Sequence, residues 1–388
     1  LGDTPSRSSP VQVGALTTWL DVAGGYNHSI AIKTDGTLWS WGGNGYGNLG
    51  LGDTTARSSP TQVGALTDWL NVAGGDYYAV ATKTDGTLWS MGKNNVGQLG
   101  DGTTVAKSSP VQVGALTTWS KISTGSYTNM AILSTGALWA WGNNPFGVLG
   151  DGTTVAKSSP VQIGALTNWL NAACGYFHTV TTKTDGTLWT WGRSNHGQLG
   201  YGTVATTSSS PVQVGALTNW LQAAAGIYFS MALKTDGTLW GWGQNSLGVL
   251  GQGNTTSYAS PVQVGALTTW SEVYALRNSM VALKTDGTLW ACGQGSQGQL
   301  GDGTNVHKSS PVQVGALTTW NKIGGGQYYA SALKTDGTLW TWGYNNSGQL
   351  GDGTTVGKSS PVQVGALTTW LSISKGSRSS STYGIEGT

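Results

Sequence analysis

The sequence predicts an all-β chain, a single β-propeller of four-stranded antiparallel blades over residues 1–388, and three observations predict it. The phrase Ser-Pro-x-Gln-Val-Gly-Ala-Leu-Thr-x-Trp, with Ile163 once in place of valine, occurs eight times, ending at Trp19, Trp69, Trp119, Trp169, Trp220, Trp270, Trp320 and Trp370. A second phrase, Thr-Asp-Gly-Thr-Leu-Trp, opens at Thr34 and recurs six more times, with Ser134-Thr135-Gly136-Ala137 as its variant. Both return every 50 residues, apart from one step of 51 where the Tyr201–Ser210 loop holds an extra residue. No segment carries sustained 3.6-residue apolar periodicity, so helices are not expected. Four short strands in each such period, repeated around, are the pattern of a propeller blade. One blade cannot bury both its faces; neighbours stacked in a closed ring can.

Within the first period, Leu20–Gly24 and His28–Lys33 read as the first two strands, Ser29–Ile32 alternating small and apolar residues. Asp35-Gly36 marks the hairpin turn between the second and third strands, because such turns need positive φ. Thr37–Gly42, rich in Trp and Leu, reads as the third strand. Thr61–Val63 follows a long Gly/Asn/Ser loop as the fourth.

These residues carry a family resemblance. Val22-Ala23-Gly24-Gly25-Tyr26-Asn27-His28-Ser29-Ile30-Ala31-Ile32 resembles the signature of the regulator of chromosome condensation repeat family, and Gly97-Gln98-Leu99-Gly100-Asp101-Gly102-Thr103 resembles its second hallmark. The match recurs in every period, and it implies seven blades. The ends of the chain add a complication. The first two strands occur eight times and the third strand seven times. Seven complete blades therefore leave surplus segments at both termini. An eighth, three-stranded closing blade would combine Val11–Val13 with Leu371–Ser374 and Ser379–Ile385, and pairing the termini would hide exposed edges. The absent initiator Met and the mid-repeat start suggest processing or a fragment.

Composition excludes several functions. Only 9% of residues are charged, with a net charge of +2, which disfavours a nucleic-acid surface. No apolar run approaches the ~20 residues of a membrane-spanning helix. Two cysteines cannot build a disulfide framework. Fifteen of the 20 tryptophans hold two fixed phases, those of Trp19 and Trp39, and five more hold the Trp41 phase, where Met91 and Cys292 substitute. Their repetition in every period reads as wedging between blades. Twelve aspartates repeat in the turn and loop phases typified by Asp35 and Asp53, as side-chain bonding to nearby amides would require. Lys33, Lys83, Lys183, Lys234, Lys284 and Lys334 read as a solvated ring beside the turn aspartates. Nucleophile elbows, H-E-x-x-H and paired C-x-x-C motifs are missing, so the chain is read as no enzyme, with no cofactor and no metal site.

What varies between periods is more informative. The connection between the first two strands reads Tyr26-Asn27-His28, Asp76-Tyr77-Tyr78, Ser126-Tyr127-Thr128, Tyr176-Phe177-His178, Ile227-Tyr228-Phe229, Arg277-Asn278-Ser279 and Gln327-Tyr328-Tyr329. The connection between the third and fourth strands also varies and supplies Tyr46, Lys93, Phe146, Arg193, His196 and Tyr344. In an antiparallel blade both connections emerge on one face, and the near-invariant Thr-Asp-Gly and Gly-Ala-Leu-Thr connections on the other. Diversified loops on a rigid scaffold are where recognition sits, and tyrosine offers large contact area at low entropy cost. The candidate ligand-binding residues are accordingly the aromatic, histidine and Arg277 members of the seven triplets, together with those six loop residues. The competing structural explanation is that aromatics opening the second strand plug the channel mouth.

The function expected is a non-enzymatic binding or display scaffold for a protein or glycan, as part of a secreted, cell-surface or virion assembly. Nucleic acid and membrane insertion are not expected. The resemblance also raises guanine-nucleotide exchange on a small GTPase, the activity of the family's name-giving member. That activity is implied to need a wedge inserted in one blade, and periods differing by one residue at most leave no room for it. A structural subunit with no ligand is the remaining alternative.

Overall fold

A computed structural model describes residues 19–373 and 384–386. Seven four-stranded antiparallel sheets follow one another: blade 1 (19–62), blade 2 (69–112), blade 3 (119–162), blade 4 (173–213), blade 5 (220–263), blade 6 (270–313) and blade 7 (320–363). In each sheet strand order equals chain order, as hairpin connections require. The strands of blade 1 are Trp19–Gly24, His28–Lys33, Leu38–Gly42 and Arg57–Gln62. The expected strands fall within two residues of these, except the fourth. That strand starts well before Thr61, through a polar Arg-Ser-Ser-Pro run whose apolar signal is absent because it is the outermost edge, where proline is tolerated.

Burial follows radial position. The second strand of blade 1, His28–Lys33, is buried along its whole length, while its outer strand is half exposed. Hydrophobic clusters lie between blades rather than within them. Ile30, Ile32, Leu38 and Val63 of blade 1, for example, pack on Trp69, Val72, Ala79, Ala81 and Met91 of blade 2. Trp141, Trp191, Trp242 and Trp342 are fully buried wedges. Their indoles donate to carbonyls of the preceding blade, as Trp191 Nε1 does to Val148 O at 2.8 Å. Cys292 holds the same phase and donates its thiol to Val249 O at 3.2 Å.

Two glycine positions have a definite cause. Gly36 takes φ +78, and a Cβ there would collide with the Thr67 carbonyl of the neighbouring connection. Gly42 takes φ +105 at the bulge closing the third strand, where a Cβ would stand 2.7 Å from Asn27 O.

Past blade 7, Trp370–Ile373 and Gly384–Glu386 pair as a two-stranded antiparallel sheet. Ile373 joins Leu333, Leu339 and Val364 of blade 7, and Lys322 Nζ donates to Leu371 O at 2.7 Å. On its other side Gly384–Glu386 neighbours the first strand of blade 1. The ring thus holds seven complete blades and a partial one between blades 7 and 1. Val11–Val13, expected as its third strand, lies outside the described residues, as do Ser374 and residues 379–383. Among the described residues no helix is long and apolar enough to cross a membrane.

Candidate functional site

Hydrogen bonds between connections define the two rims. Gly43 N donates to Asn27 O, joining the two variable connections of blade 1, and Trp69 N donates to Gly36 O, joining the two invariant ones. The variable rim is built on a constant backbone. Tyr26 N donates to Asp76 O at 3.0 Å, Asp76 N to Ser126 O at 3.5 Å, and Ile227 N to Arg277 O at 3.3 Å, each bond crossing to the next blade. Tyr26, Asp76, Ser126, Ile227 and Arg277 are tied in this way, and with Tyr176 and Gln327 they form a collar around the central channel.

All seven line a mouth of about 410 Å³. Beneath it the channel continues for about 570 Å³ between first strands rich in Gly, Ala, Val and Ser that also present Asp21, Gln222 and Tyr274, and Tyr26, Asp76, Gly125, Cys174 and Ala225 border both spaces. Tyr26 and Tyr176 are half exposed, at 49% and 47%.

The second triplet residues form a belt with the loops outside the collar. Tyr77 stacks at 5.5 Å on Tyr26 and 5.4 Å on Tyr46. The Lys93 ammonium lies 4.9 Å from the Tyr46 ring, 5.3 Å from Tyr77 and 4.9 Å from Tyr127. Burial and these neighbouring phenols raise the Tyr77 pKa, so its hydroxyl stays a neutral donor and acceptor. Phe177 packs on Phe146 at 5.4 Å and on Tyr176 at 4.3 Å, with the Arg193 guanidinium 4.6 Å from Phe146. Tyr228 meets His196 at 5.1 Å, whose pKa burial and the nearby Arg193 hold down. Tyr328 packs on Tyr344 at 6.3 Å and carries Arg277 at 5.1 Å. Lys93, Arg193 and Arg277 stand on blades 2, 4 and 6, and none has a carboxylate partner among the described residues. The non-glycine residues with left-handed backbone there, Phe146 at φ 63 and Ala205 at φ 59, both belong to loops of this rim. Such strain concentrates at functional sites.

Five residues of the candidate set do not reach the rim. His28, Tyr78, His178, Phe229 and Tyr329 are buried, because the third triplet position opens the second strand and points between blades. Tyr78 Oη donates to Asn129 Oδ1 at 3.0 Å in blade 3, and His178 Nε2 meets Ser230 Oγ at 2.9 Å in blade 5. Their role is packing between blades; none of the five lines the channel mouth. Conversely, Asp76, Ser126, Ile227 and Gln327 belong to the collar although they lie outside the candidate set, since they share no aromatic or cationic chemistry. The signal available was phase diversity: the first triplet position carries six residue types in seven blades.

The opposite rim repeats one turn in six blades, blade 3 carrying Leu133-Ser134-Thr135 in place of Lys-Thr-Asp. Asp35 Oδ1 accepts from Thr37 N at 2.9 Å and Thr37 Oγ1 at 2.6 Å, and Trp39 Nε1 donates to Thr37 Oγ1 at 2.7 Å. Lys33, Lys83, Lys183, Lys234 and Lys284 are buried, which overturns their reading as a solvated ring. Each ammonium lies on tryptophan faces, Lys33 Nζ being 3.5 Å from the Trp39 centroid. Rings spaced at the Trp19 and Trp39 phases make a slot that the lysine stem fills. The loop aspartates are likewise engaged: Asp101 accepts from Asn94 Nδ2 at 3.0 Å and pairs with Lys107 at 3.3 Å. Among the described residues no three His, Cys, Asp or Glu side chains gather as a metal site would require.

This collar is suited to binding: flat rings, hydrogen-bonding groups and one guanidinium converge on a concave mouth. A family model for the regulator of chromosome condensation (RCC1) repeat matches residues 35–82, 85–132, 135–181, 185–233, 236–277, 286–333 and 336–382. A second model of the same repeat matches 19–48, 119–148, 171–198 and 220–249. A search of curated protein sequences finds no match. Among solved structures, human WBSCR16 is similar at TM-score 0.73 and 21% identity, over 91% of this chain and 100% of that one. Prp20p of Saccharomyces cerevisiae is similar at TM-score 0.71 and 18% identity, over 92% of this chain and 94% of that one. Yeast Prp20 in its complex with Kap60 aligns at 0.72 and 17%, over 100% and 95%. At such identities the likeness is one of fold.

Proposed function

Since the chain belongs to the regulator of chromosome condensation (RCC1) repeat family, we propose that it is a non-catalytic binding scaffold whose variable rim captures a protein or glycan. One observation carries this reading. A backbone repeated in every blade presents six different side-chain types at one collar position, while the opposite rim repeats one turn and one cation–tryptophan slot. Packing alone gives no reason for such asymmetry. Prp20p, described with its binding to Gsp1p and histones and in complex with Kap60, is a precedent for protein partners on this fold. The low charge density supports a ligand met outside the cytosol, on a secreted, cell-surface or virion assembly.

Glycan-array binding and affinity capture of proteins with the intact chain test the reading. Tyr26→Ala/Tyr176→Ala removes the two half-exposed collar rings and is expected to lower capture at least tenfold, with a melting temperature within a few degrees of the parent. Capture unchanged by that pair would contradict it.

A further inference from the structure

The collar's chemistry narrows the ligand, on the premise that this rim is the binding face. Arg277 is set apart from the other mouth residues. It lines the mouth, its Nη1 donates to Gln327 Oε1 at 3.1 Å, its guanidinium lies 5.1 Å from the Tyr328 ring, and no carboxylate pairs with it among the described residues. A guanidinium without a carboxylate partner presents a fork that the two oxygens of an oxyanion match. Asp76 is the one carboxylate lining the mouth, against Arg277 within it and Lys93 and Arg193 around it.

Shape selects the carrier of that anion. A mouth of about 410 Å³ is the size of a small-ligand pocket, whereas a folded protein partner would need a broad contact area. Two half-exposed rings, Tyr26 and Tyr176, with Asp76 and Ser126 between them on one side and Gln327 on the other, suit a ligand that is flat and apolar on one face and hydroxylated at its edges. We propose that the channel mouth takes an acidic saccharide, its carboxylate or sulfate held by Arg277 and its sugar ring laid on Tyr176.

Titration calorimetry of the full chain with a chondroitin sulfate tetrasaccharide, an oligogalacturonide of equal length and neutral maltotetraose tests this and separates sulfate from carboxylate. At least one acidic sugar is expected to bind about tenfold or more tightly than maltotetraose, and to weaken as salt rises. Arg277→Gln should remove about tenfold of that affinity, Arg277→Lys less, and Tyr176→Ala several-fold, while Arg57→Gln on the outer strand changes nothing. Equal binding of maltotetraose, binding of neither acidic sugar, indifference to Arg277→Gln, or tighter binding of a tetraglutamate peptide would each overturn the proposal. Rim-dependent capture of a neutral glycan or a protein would overturn it while leaving the scaffold reading intact. Capture indifferent to Tyr26→Ala/Tyr176→Ala would remove both.

Discussion

Side chains of one phase take different roles according to the space their blade leaves. The third triplet residue is Tyr in blades 2 and 7, Phe in blade 5 and His in blades 1 and 4, always buried. Burial pushes the pKa of both His28 and His178 down to about 4, so each is neutral in the fold at neutral pH. An unfolded histidine titrates near 6.5. Between those two values the unfolded chain binds more protons than the folded one, so stability falls as pH drops from about 6.5 toward 4. At pH 5 the loss is on the order of 2 kcal/mol per histidine. Urea midpoints measured at pH 7.5 and pH 5 should differ clearly for the parent and much less for His28→Phe/His178→Phe, which places the Phe229 side chain in that phase. Equal shifts in both proteins would rule out the histidines as the cause.

Hairpins are held by short side-chain relays. Asp185 accepts from Thr187 N and Oγ1 at 2.9 and 2.6 Å and from Asn168 Nδ2 at 2.8 Å, and Thr187 Oγ1 accepts from Trp189 Nε1. Asp185→Ala should therefore cost about 1–2 kcal/mol in denaturant unfolding and leave ligand capture unaltered, the turn being on the invariant rim; a loss of capture would put binding on the wrong face. A matching clamp sits on the variable rim, where buried Asn94 accepts from Leu99 N at 2.9 Å and donates to Asp101 Oδ1 and Val105 O. Asn94→Ala should cost about 2–3 kcal/mol, and loosening the loop that carries Lys93 should also weaken capture.

Much of this was legible in the chain. The hairpin turn, the strand order and the wedge tryptophans follow from repeated residues whose chemistry has one use. The outer strands were half hidden because Arg-Ser-Ser-Pro pairs through its backbone and shows no apolar face. The lysine ring misled because a cation flanked by Thr-Asp-Gly resembles a surface residue until two indoles from other strands close over it. The collar was partly missed because its members share a position and no chemistry.

At the scale of the whole molecule, six hydrophobic interfaces join successive blades, and Ile373 with Trp370 makes a further one between blade 7 and the partial blade. Ile373→Ala should cost about 2–4 kcal/mol and admit protease at the junction, whereas Leu371→Ala, 59% exposed, should be silent. Equal effects of the two would mean the partial blade does not brace the ring. A stiff ring with one diversified rim makes a sharp demand on any ligand that glycan array or affinity capture retains: it must touch that rim alone. Hydrogen–deuterium exchange of the full chain with and without that ligand reads this directly. Slowing is predicted at residues 25–27, 75–77, 125–127, 175–177 and 276–277, with the Thr-Asp-Gly turns unchanged. Slowing confined to those turns or to the outer strands would contradict the assignment of the variable rim as the binding face.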